Sequence, residues 1–407
     1  MHTHRAPPLP PDLPRHAPAI RRRAKRPPHP RPSNRPLPPP PMAQSPLGQR
    51  TRRRLPQPQH LTGEQAAPSA RSRTVTTHRP TRERSTMPPI ITGIHHVTAF
   101  ARDPSANLRF YTDILGLRLV KQTVNFDDPS VYHLYYADRT GTPGTLITFF
   151  PNPHMGRGRH ASDEIATTTL SVPHASLPYW RDRLAAHDIP TTTDDDAPRL
   201  HFQDHDTLQL SLIESDPPAH TPLNNPDIPT QHAITGIHST AIRVRDHNAT
   251  ADFLTRHLGF TSHPDTPGIP GTPDTPGSPN RTWLTLGDAR ASQHIELIHD
   301  PAADAARFGA GIVHHVAWRV PDEATQLRIR EQLLSDGIPV TQVLDRNYFK
   351  SIYFRIPPGL VFEIATDGPG FTTDEPLDAL GTSLKLPPHL EPHRDKLAAQ
   401  LPPLALD

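Results

Sequence analysis

The sequence contains no cysteine, which excludes disulfides, thiolate nucleophiles and cysteine-based metal sites. No apolar run approaches the roughly 18 residues of a membrane span, and no apolar core of a signal peptide is present. The body is therefore expected to be soluble and cytoplasmic, with no membrane partner. Acidic residues are nearly missing from one end. Residues 1–86 hold 18 Lys+Arg against 3 Asp+Glu, and 20 of the 54 prolines. The remainder keeps 25 basic and 38 acidic residues, so the first segment carries about +15 and the rest about −13. The basic whole-chain balance belongs to the tail.

In residues 1–86 the apolar side chains follow neither a helical nor a strand period. Such a segment cannot bury enough surface to offset ordering entropy and is expected to be disordered. Three readings of it stay open. Translation starts at Met87 and the upstream stretch is a gene-model extension; it is a solvated basic tail; or it binds nucleic acid or acts as a transit peptide. The body has no matching basic stripe, so no nucleic-acid partner is expected.

Beyond Thr86 the chain repeats one small unit four times. Each unit has a short strand, an amphipathic helix and further strands with Gly or Pro turns. The first opens at Gly93-Ile94-His95-His96-Val97-Thr98, carries a helix through Leu108, Phe110, Tyr111 and Leu115, and closes with Gly144–Phe150. The second spans about 164–214, with its helix at Leu177–His187. The third runs from Gly236 to His299, its helix ending at Gly259, and the fourth from Gly311 to Thr366. A βαβββ unit cannot bury its sheet alone. The expected fold is α+β: four βαβββ modules paired into two curved-sheet cups behind a disordered N-terminal tail. The expected divisions are 1–86, modules one and two in 87–216, a linker at 217–233, modules three and four in 234–375, and a loosely packed extension at 376–407. A Pro/Gly-rich loop at 264–280 interrupts module three, and the extension carries a short helix near 395–401.

With 27 histidines in the chain, strand parity is needed to separate candidates, because alternate side chains point to opposite faces. In module four, Val316, Trp318 and Val320 share the helix-facing phase, which leaves His315 in the cup and His314 on the packed side or its edge. Leu360, Phe362 and Ile364 form the apolar phase of the closing strand, so Glu363 faces the cup. A carboxylate between Phe and Ile needs a cation or an equivalent partner. Ile94-His95-His96-Val97 aligns without gaps on Val313-His314-His315-Val316, which gives His96 the cup slot. In module three Ser239 takes that slot and His238 falls on the wrong face, while Glu296 has no histidine beside it. Modules one and four must then be neighbours. Thr148 aligns with Glu363, so the fourth corner lacks a charged ligand. Two His and one carboxylate on one face form the facial triad of non-haem Fe(II) oxygenases, with Zn as the main competitor.

These repeats resemble the vicinal oxygen chelate superfamily, which contains extradiol dioxygenases, glyoxalase I and antibiotic-resistance proteins. Gly93–Thr98, Tyr132-His133-Leu134-Tyr135-Tyr136-Ala137-Asp138 with Gly141-Thr142-Pro143-Gly144-Thr145, and Asp345-Arg346 through Phe371 resemble its hydroquinone-type ring-cleaving dioxygenases. The resemblance covers roughly residues 90–385 and none of the tail. It implies Fe(II), with Mn(II) as a substitute, held by His96, His315 and Glu363. It also implies catalytic roles for His95, Thr98, His314, Arg346 and Tyr353; parity independently places Tyr353 in the cup. Ser239 stands where the catechol-type relatives have a ligand histidine.

The implied reaction opens a small dihydroxylated aromatic ring with O₂. Tyr353 and Arg346 would steady an oxyanion, and His95 or His314, titrating near its ordinary value, would take the phenolic proton. The alternatives are a metal-dependent glyoxalase-like isomerase or lyase and a non-catalytic aromatic-binding protein of the same fold. A homo-oligomer is compatible with all three.

Overall fold

A computed structural model describes residues 91–194, 199–216, 225, 227–263 and 280–404. The tail 1–86, residues 217–224 of the expected linker and residues 264–279 of the expected loop lie outside the described residues.

All four modules are built in the order βαβββ. Module one contains β1 (Gly93–Ala101), α1 (Pro104–Arg109), β2 (Arg118–Asn125), β3 (Asp128–Ala137) and β4 (Leu146–Pro151). Module two contains β5 (Glu164–Val172), α2 (Leu177–Ala186), β6 (Thr192–Thr193), β7 (Arg199–Gln203) and β8 (Gln209–Glu214). Module three contains β9 (Gly236–Val244), α3 (His247–Leu258), β10 (Thr261–His263), β11 (Asn280–Thr285) and β12 (His294–His299). Module four contains β13 (Val313–Val320), α4 (Glu323–Ser335), β14 (Leu344–Asp345), β15 (Phe349–Ile356) and β16 (Leu360–Pro369). Local chemistry sets the helix ends. Asp103, Asp246 and Asp322 cap α1, α3 and α4 through backbone N–H groups, satisfying donors that a first turn leaves unpaired. Gly259 closes α3 at φ 77°, a left-handed conformation suited to glycine. The first helix is shorter than its apolar period predicts: α1 passes at Phe110 into a π-helical turn, Phe110–Ile114.

The two eight-stranded sheets run β14-β15-β16-β13-β1-β4-β3-β2 and β10-β11-β12-β9-β5-β8-β7-β6. Module one therefore shares a sheet with module four, and module two with module three. The central pairs β1–β13 and β5–β9 are antiparallel. Each sheet takes one module from either side of residues 217–233. The connectors that make this crossover run side by side, with bridges Arg157↔Ala310 and Arg159↔Arg307.

Side chains alternate between the packed face and the cup along most strands. Val316, Trp318, Val320, Phe362 and Ile364 pack with Ile329 and Leu333 of α4 in one large apolar cluster. A second apolar cluster, including Leu146, Ala317, Tyr348, Phe349 and Phe371, lines the opposite face of the first sheet. Parity fails at single extra residues. The β1–β13 register shifts between Ile94 and His96 and again between Thr98 and Ala99, opposite His315 and Val313. His95 and His314 are thus the extra residues of two symmetry-related β-bulges. A bulge lets two successive side chains share a face. The same irregularity falls on His238, between Thr169↔Ser239 and Leu170↔Ile237.

Residues 376–404 are not loosely packed. Leu380, Leu386, Leu397 and Leu401 are buried, and the short helix α5 is Arg394–Gln400. The strap that follows β16 is fastened to β2 by the buried Lys121, whose Nζ donates to Asp374 Oδ1 at 2.5 Å, to Glu375 and to the Phe371 carbonyl. Gly381, at φ +76°, lies so close to β2 that a Cβ there would sit 1.9 Å from the Leu119 carbonyl oxygen.

Candidate metal centre

His96 on β1, His315 on β13 and Glu363 on β16 converge in the cup of the first sheet. Thr98 pairs with His315, and Ala317 with Glu363, which sets the three on adjacent strands. His96 Nε2 lies 3.2 Å from His315 Nε2 and 3.4 Å from Glu363 Oε2, while His315 Nε2 lies 2.9 Å from the same oxygen. All three residues are buried, Glu363 completely. Ser351 donates its hydroxyl to Glu363 Oε1. Oε2 has no hydrogen-bond partner despite its short distance to His315, so the ring nitrogen and the carboxylate oxygen face a common point rather than each other. Burial alone would push the Glu363 carboxyl up, but His96 and His315 override it and hold the group well below the usual carboxylate range. An ionised, buried carboxylate with an orphaned oxygen beside two imidazole nitrogens fits a metal ion.

The bulges place His95 and His314 against the other edge of each imidazole. His95 Nδ1 lies 2.9 Å from His96 Nδ1, and His314 Nδ1 lies 2.6 Å from His315 Nδ1. His314 therefore faces the rim of the cup, among Phe100, Phe150 and Phe308, and not the packed side. Burial, reinforced by the neighbouring His96, pushes His95 well below its ordinary value, and burial with His315 pushes His314 down to about 3. Neither titrates near neutrality, which corrects the expectation that one of them does. Both are neutral rings with a lone pair available to the adjacent histidine.

The remaining expected residues are also brought to this cup. Tyr353 on β15 pairs with Glu363, and its ring lies 5.8 Å from that of His315. Arg346 Nε donates to the Tyr353 oxygen at 3.3 Å, and its Nη2 donates to Asp127 at 3.1 Å. Burial first, then the Glu363 charge, push the Tyr353 phenol up. Thr98 and Thr148 share a hydrogen bond of 2.7 Å. Thr148 pairs with Thr98 as Glu363 pairs with Ala317, so the fourth corner carries a hydroxyl.

Sequence reasoning missed four residues here. Ser351 orients Glu363; Phe349 packs at 4.9 Å on His95 and 5.2 Å on His96; His133 and Tyr135 of β3 extend the Thr98–Thr148 contact. Parity could have found Ser351, two positions before Tyr353, and the pair His133 and Tyr135.

The second cup uses the same positions for different chemistry. Ser239 takes the place of His315, and Glu296 that of Glu363, paired with Ala241 as Glu363 is with Ala317. Glu296 is neutralised by Arg199 at 2.7 Å and Arg281 at 2.6 Å. The bulge turns His238 into this cup, where it stacks on His294 at 5.0 Å, so the parity assignment of His238 to the wrong face is incorrect. Among the described residues, His96, His315 and Glu363 form the one His/carboxylate group that could hold a metal.

The family model for the glyoxalase/bleomycin resistance protein/dioxygenase superfamily matches residues 93–223 and 236–367. The chain belongs to this superfamily. Within it, the chain is 40% identical over 316 residues to MhqE of Bacillus subtilis, provisionally named a ring-cleaving dioxygenase, covering 77% of this chain and 99% of that protein. It is 29% identical over 325 residues to the chlorohydroquinone/hydroquinone 1,2-dioxygenase of Sphingobium indicum, covering 76% and 96%. A crystal structure from Bacillus subtilis, provisionally described as a dioxygenase, aligns with TM-score 0.72 and 35% identity over 78% of this chain and 98% of that one. A glyoxalase I variant from Zea mays shares the superfamily fold, with TM-score 0.51 and 14% identity over 68% and 94%. No described helix is long and apolar enough to cross a membrane.

Proposed function

We propose that this protein is a cytoplasmic non-haem Fe(II) dioxygenase that opens hydroquinone-type aromatic rings with O₂. His96, His315 and Glu363 are the ligands in this reading. The observation that carries it is the make-up of the cup: two imidazoles, one carboxylate with an orphaned oxygen, and a hydroxyl at the fourth corner. Those three side chains would hold the metal while leaving room for further ligands, as the facial-triad oxygenases require. The hydroquinone preference draws support from the named Sphingobium relative.

When bound, ferrous iron supplies the redox chemistry that couples the ring to dioxygen. The chain's own residues prepare the site. With Nε2 of His96 and His315 holding the metal, their ring hydrogens would lie on Nδ1 and be donated to His95 and His314, fixing both rings. Arg346 donates to the Tyr353 oxygen, which makes that oxygen an acceptor and leaves the phenol hydrogen to be donated to an oxyanion on the substrate. Apolar residues including Leu146, Ala317, Phe349 and Ala365 keep water from the base of the cup.

The test is anaerobic purification, Fe(II) loading and oxygen uptake with methylhydroquinone, chlorohydroquinone and catechol. Uptake coupled to ring opening with the first two supports the proposal. No ring opening of any dihydroxybenzene overturns it, and activity of the Zn form on a methylglyoxal–glutathione adduct would favour an isomerase instead.

A further inference from the structure

Four side chains form a continuous hydrogen-bonded row across β3, β4 and β1 on the concave face. The Tyr135 hydroxyl lies 2.8 Å from His133 Nδ1, His133 Nε2 lies 2.9 Å from Thr148 Oγ1, and Thr148 Oγ1 lies 2.7 Å from Thr98 Oγ1. Thr98 is two residues beyond His96 and directly opposite His315, so the row ends beside the proposed metal ligands.

The direction of each hydrogen in this row follows once the Tyr135 phenol is the donor at its end. Tyr135 is buried, and among the described residues His133 is the one side-chain partner of its hydroxyl. A phenol buried beside a single hydrogen-bonding side chain is best satisfied by donating to it, which makes His133 Nδ1 the acceptor. A neutral imidazole with Nδ1 as acceptor carries its hydrogen on Nε2, and therefore donates to Thr148. Thr148 has one hydroxyl hydrogen and, with its oxygen already accepting from His133, passes it to Thr98. The Thr98 oxygen thus accepts, and its own hydrogen has no other side-chain partner among the described residues.

We infer that Tyr135, His133 and Thr148 form a one-way hydrogen-bond relay that holds the Thr98 hydroxyl as a donor toward the substrate oxygen beside His96 and His315. Thr98 is the group at the site, and the other three are positioning residues. The dioxygenase reading supplies the identity of the acceptor, while the relay itself rests on the hydrogen-bond geometry. Burial, followed by the nearby His96 and His315, pushes the His133 imidazole well below its ordinary value, in keeping with a neutral ring. No proton is transferred along the row in the resting protein. Its effect is to forbid the opposite arrangement, in which Thr98 would point its hydrogen away from the site.

Two measurements on the full chain test this. In metal-free protein labelled with ¹⁵N-histidine, the His133 signal, identified by its loss in His133→Gln, should report the Nε2–H tautomer. Tyr135→Phe, which removes the donor to Nδ1, should shift it toward Nδ1–H. A wild-type His133 that is Nδ1–H or doubly protonated at neutral pH overturns the relay. In iron-loaded protein, Thr148→Ser keeps the hydroxyl and should hold kcat within about twofold, whereas Thr148→Val should lower it on the order of 10- to 100-fold. KM for methylhydroquinone and iron content should be unchanged in both. Equal kcat for the Ser and Val variants overturns the role of the row. Should the wild-type chain open no ring, the dioxygenase reading fails, and the tautomer measurement still decides the relay.

Discussion

His314 and His315 meet through their Nδ1 atoms at 2.6 Å, and His95 and His96 repeat the contact at 2.9 Å in the facing strand. Each pair combines a proposed ligand with the neutral ring that orients it. His95→Leu or His314→Leu should therefore weaken metal binding roughly 10- to 100-fold, the range for lost outer partners of ligand histidines. Competition against a chelator measures this, with His96→Leu as the total-loss control. Unchanged affinity in both variants would show that the pairs only pack.

The two cups should not exchange ligands. His96→Ala should abolish tight metal binding, and adding Ser239→His should not restore it, because Ser239 lies in the other sheet. Metal content of the purified variants checks this, and recovery in the double variant would contradict the pairing of modules one and four.

In the second cup a guanidinium stands where the first would hold a cation. Arg199 and Glu296 are both nearly inaccessible. Arg199→Met leaves a buried carboxylate paired only with the part-exposed Arg281 and should cost about 1–3 kcal/mol, less than the full loss of a buried pair. Arg199→Met combined with Glu296→Leu should recover most of it. Urea unfolding of metal-free protein measures both, and a double variant no more stable than Arg199→Met would refute the assigned coupling.

Acid should destabilise the metal-free protein well above the carboxylate range. Burial first, with help from neighbouring charges, pushes His238 down to about 3, and burial pushes His294 down to about 4. Each folded value lies below the ordinary 6.5, so the unfolded chain binds more protons between the two. Stability is then full above about 6.5 and falls as the pH drops toward the folded values. The slope is up to about 1.4 kcal/mol per pH unit for each ring. His238→Asn should flatten unfolding free energy plotted between pH 7.5 and 5.5. An unchanged slope would contradict the neutral, buried assignment.

Phe308 is 58% exposed yet lies edge-on to Phe100 at 5.3 Å and 5.8 Å from His314. It is placed to form a wall for an aromatic ring entering the cup. Phe308→Ala should raise KM for the aromatic substrate severalfold with kcat within about twofold. Steady-state kinetics with methylhydroquinone separates this from a fall in kcat alone.

Much of this was legible in the sequence because a strand has a period of two. Val316, Trp318 and Val320 declared the packed face, which placed His315, and Phe362 with Ile364 did the same for Glu363. The adjacency of modules one and four followed from chemistry, since parity gave cup-facing histidines from their opening strands and a cup-facing carboxylate in one of their closing strands. What stayed hidden depended on single-residue irregularities and long-range packing. One extra residue in a ladder turns His95, His314 and His238 toward the cups, and no local pattern announces it. Lys121 looks like a surface residue of a strand until Asp374 and Glu375 arrive from the far end of the chain. His133 and Tyr135 carry the right parity, but their meaning depends on Thr148 and Thr98 in other strands.

As proposed, His96, His315 and Glu363 hold an iron that adds both atoms of O₂ to a hydroquinone ring. Single turnover of the iron-loaded protein under ¹⁸O₂, with the product analysed by mass spectrometry, tests it most directly, because hydroquinones also consume oxygen by simple oxidation. A ring-opened product containing both labelled atoms is expected, and none from Glu363→Ala. An unlabelled quinone, or the same labelled product from Glu363→Ala, would contradict it.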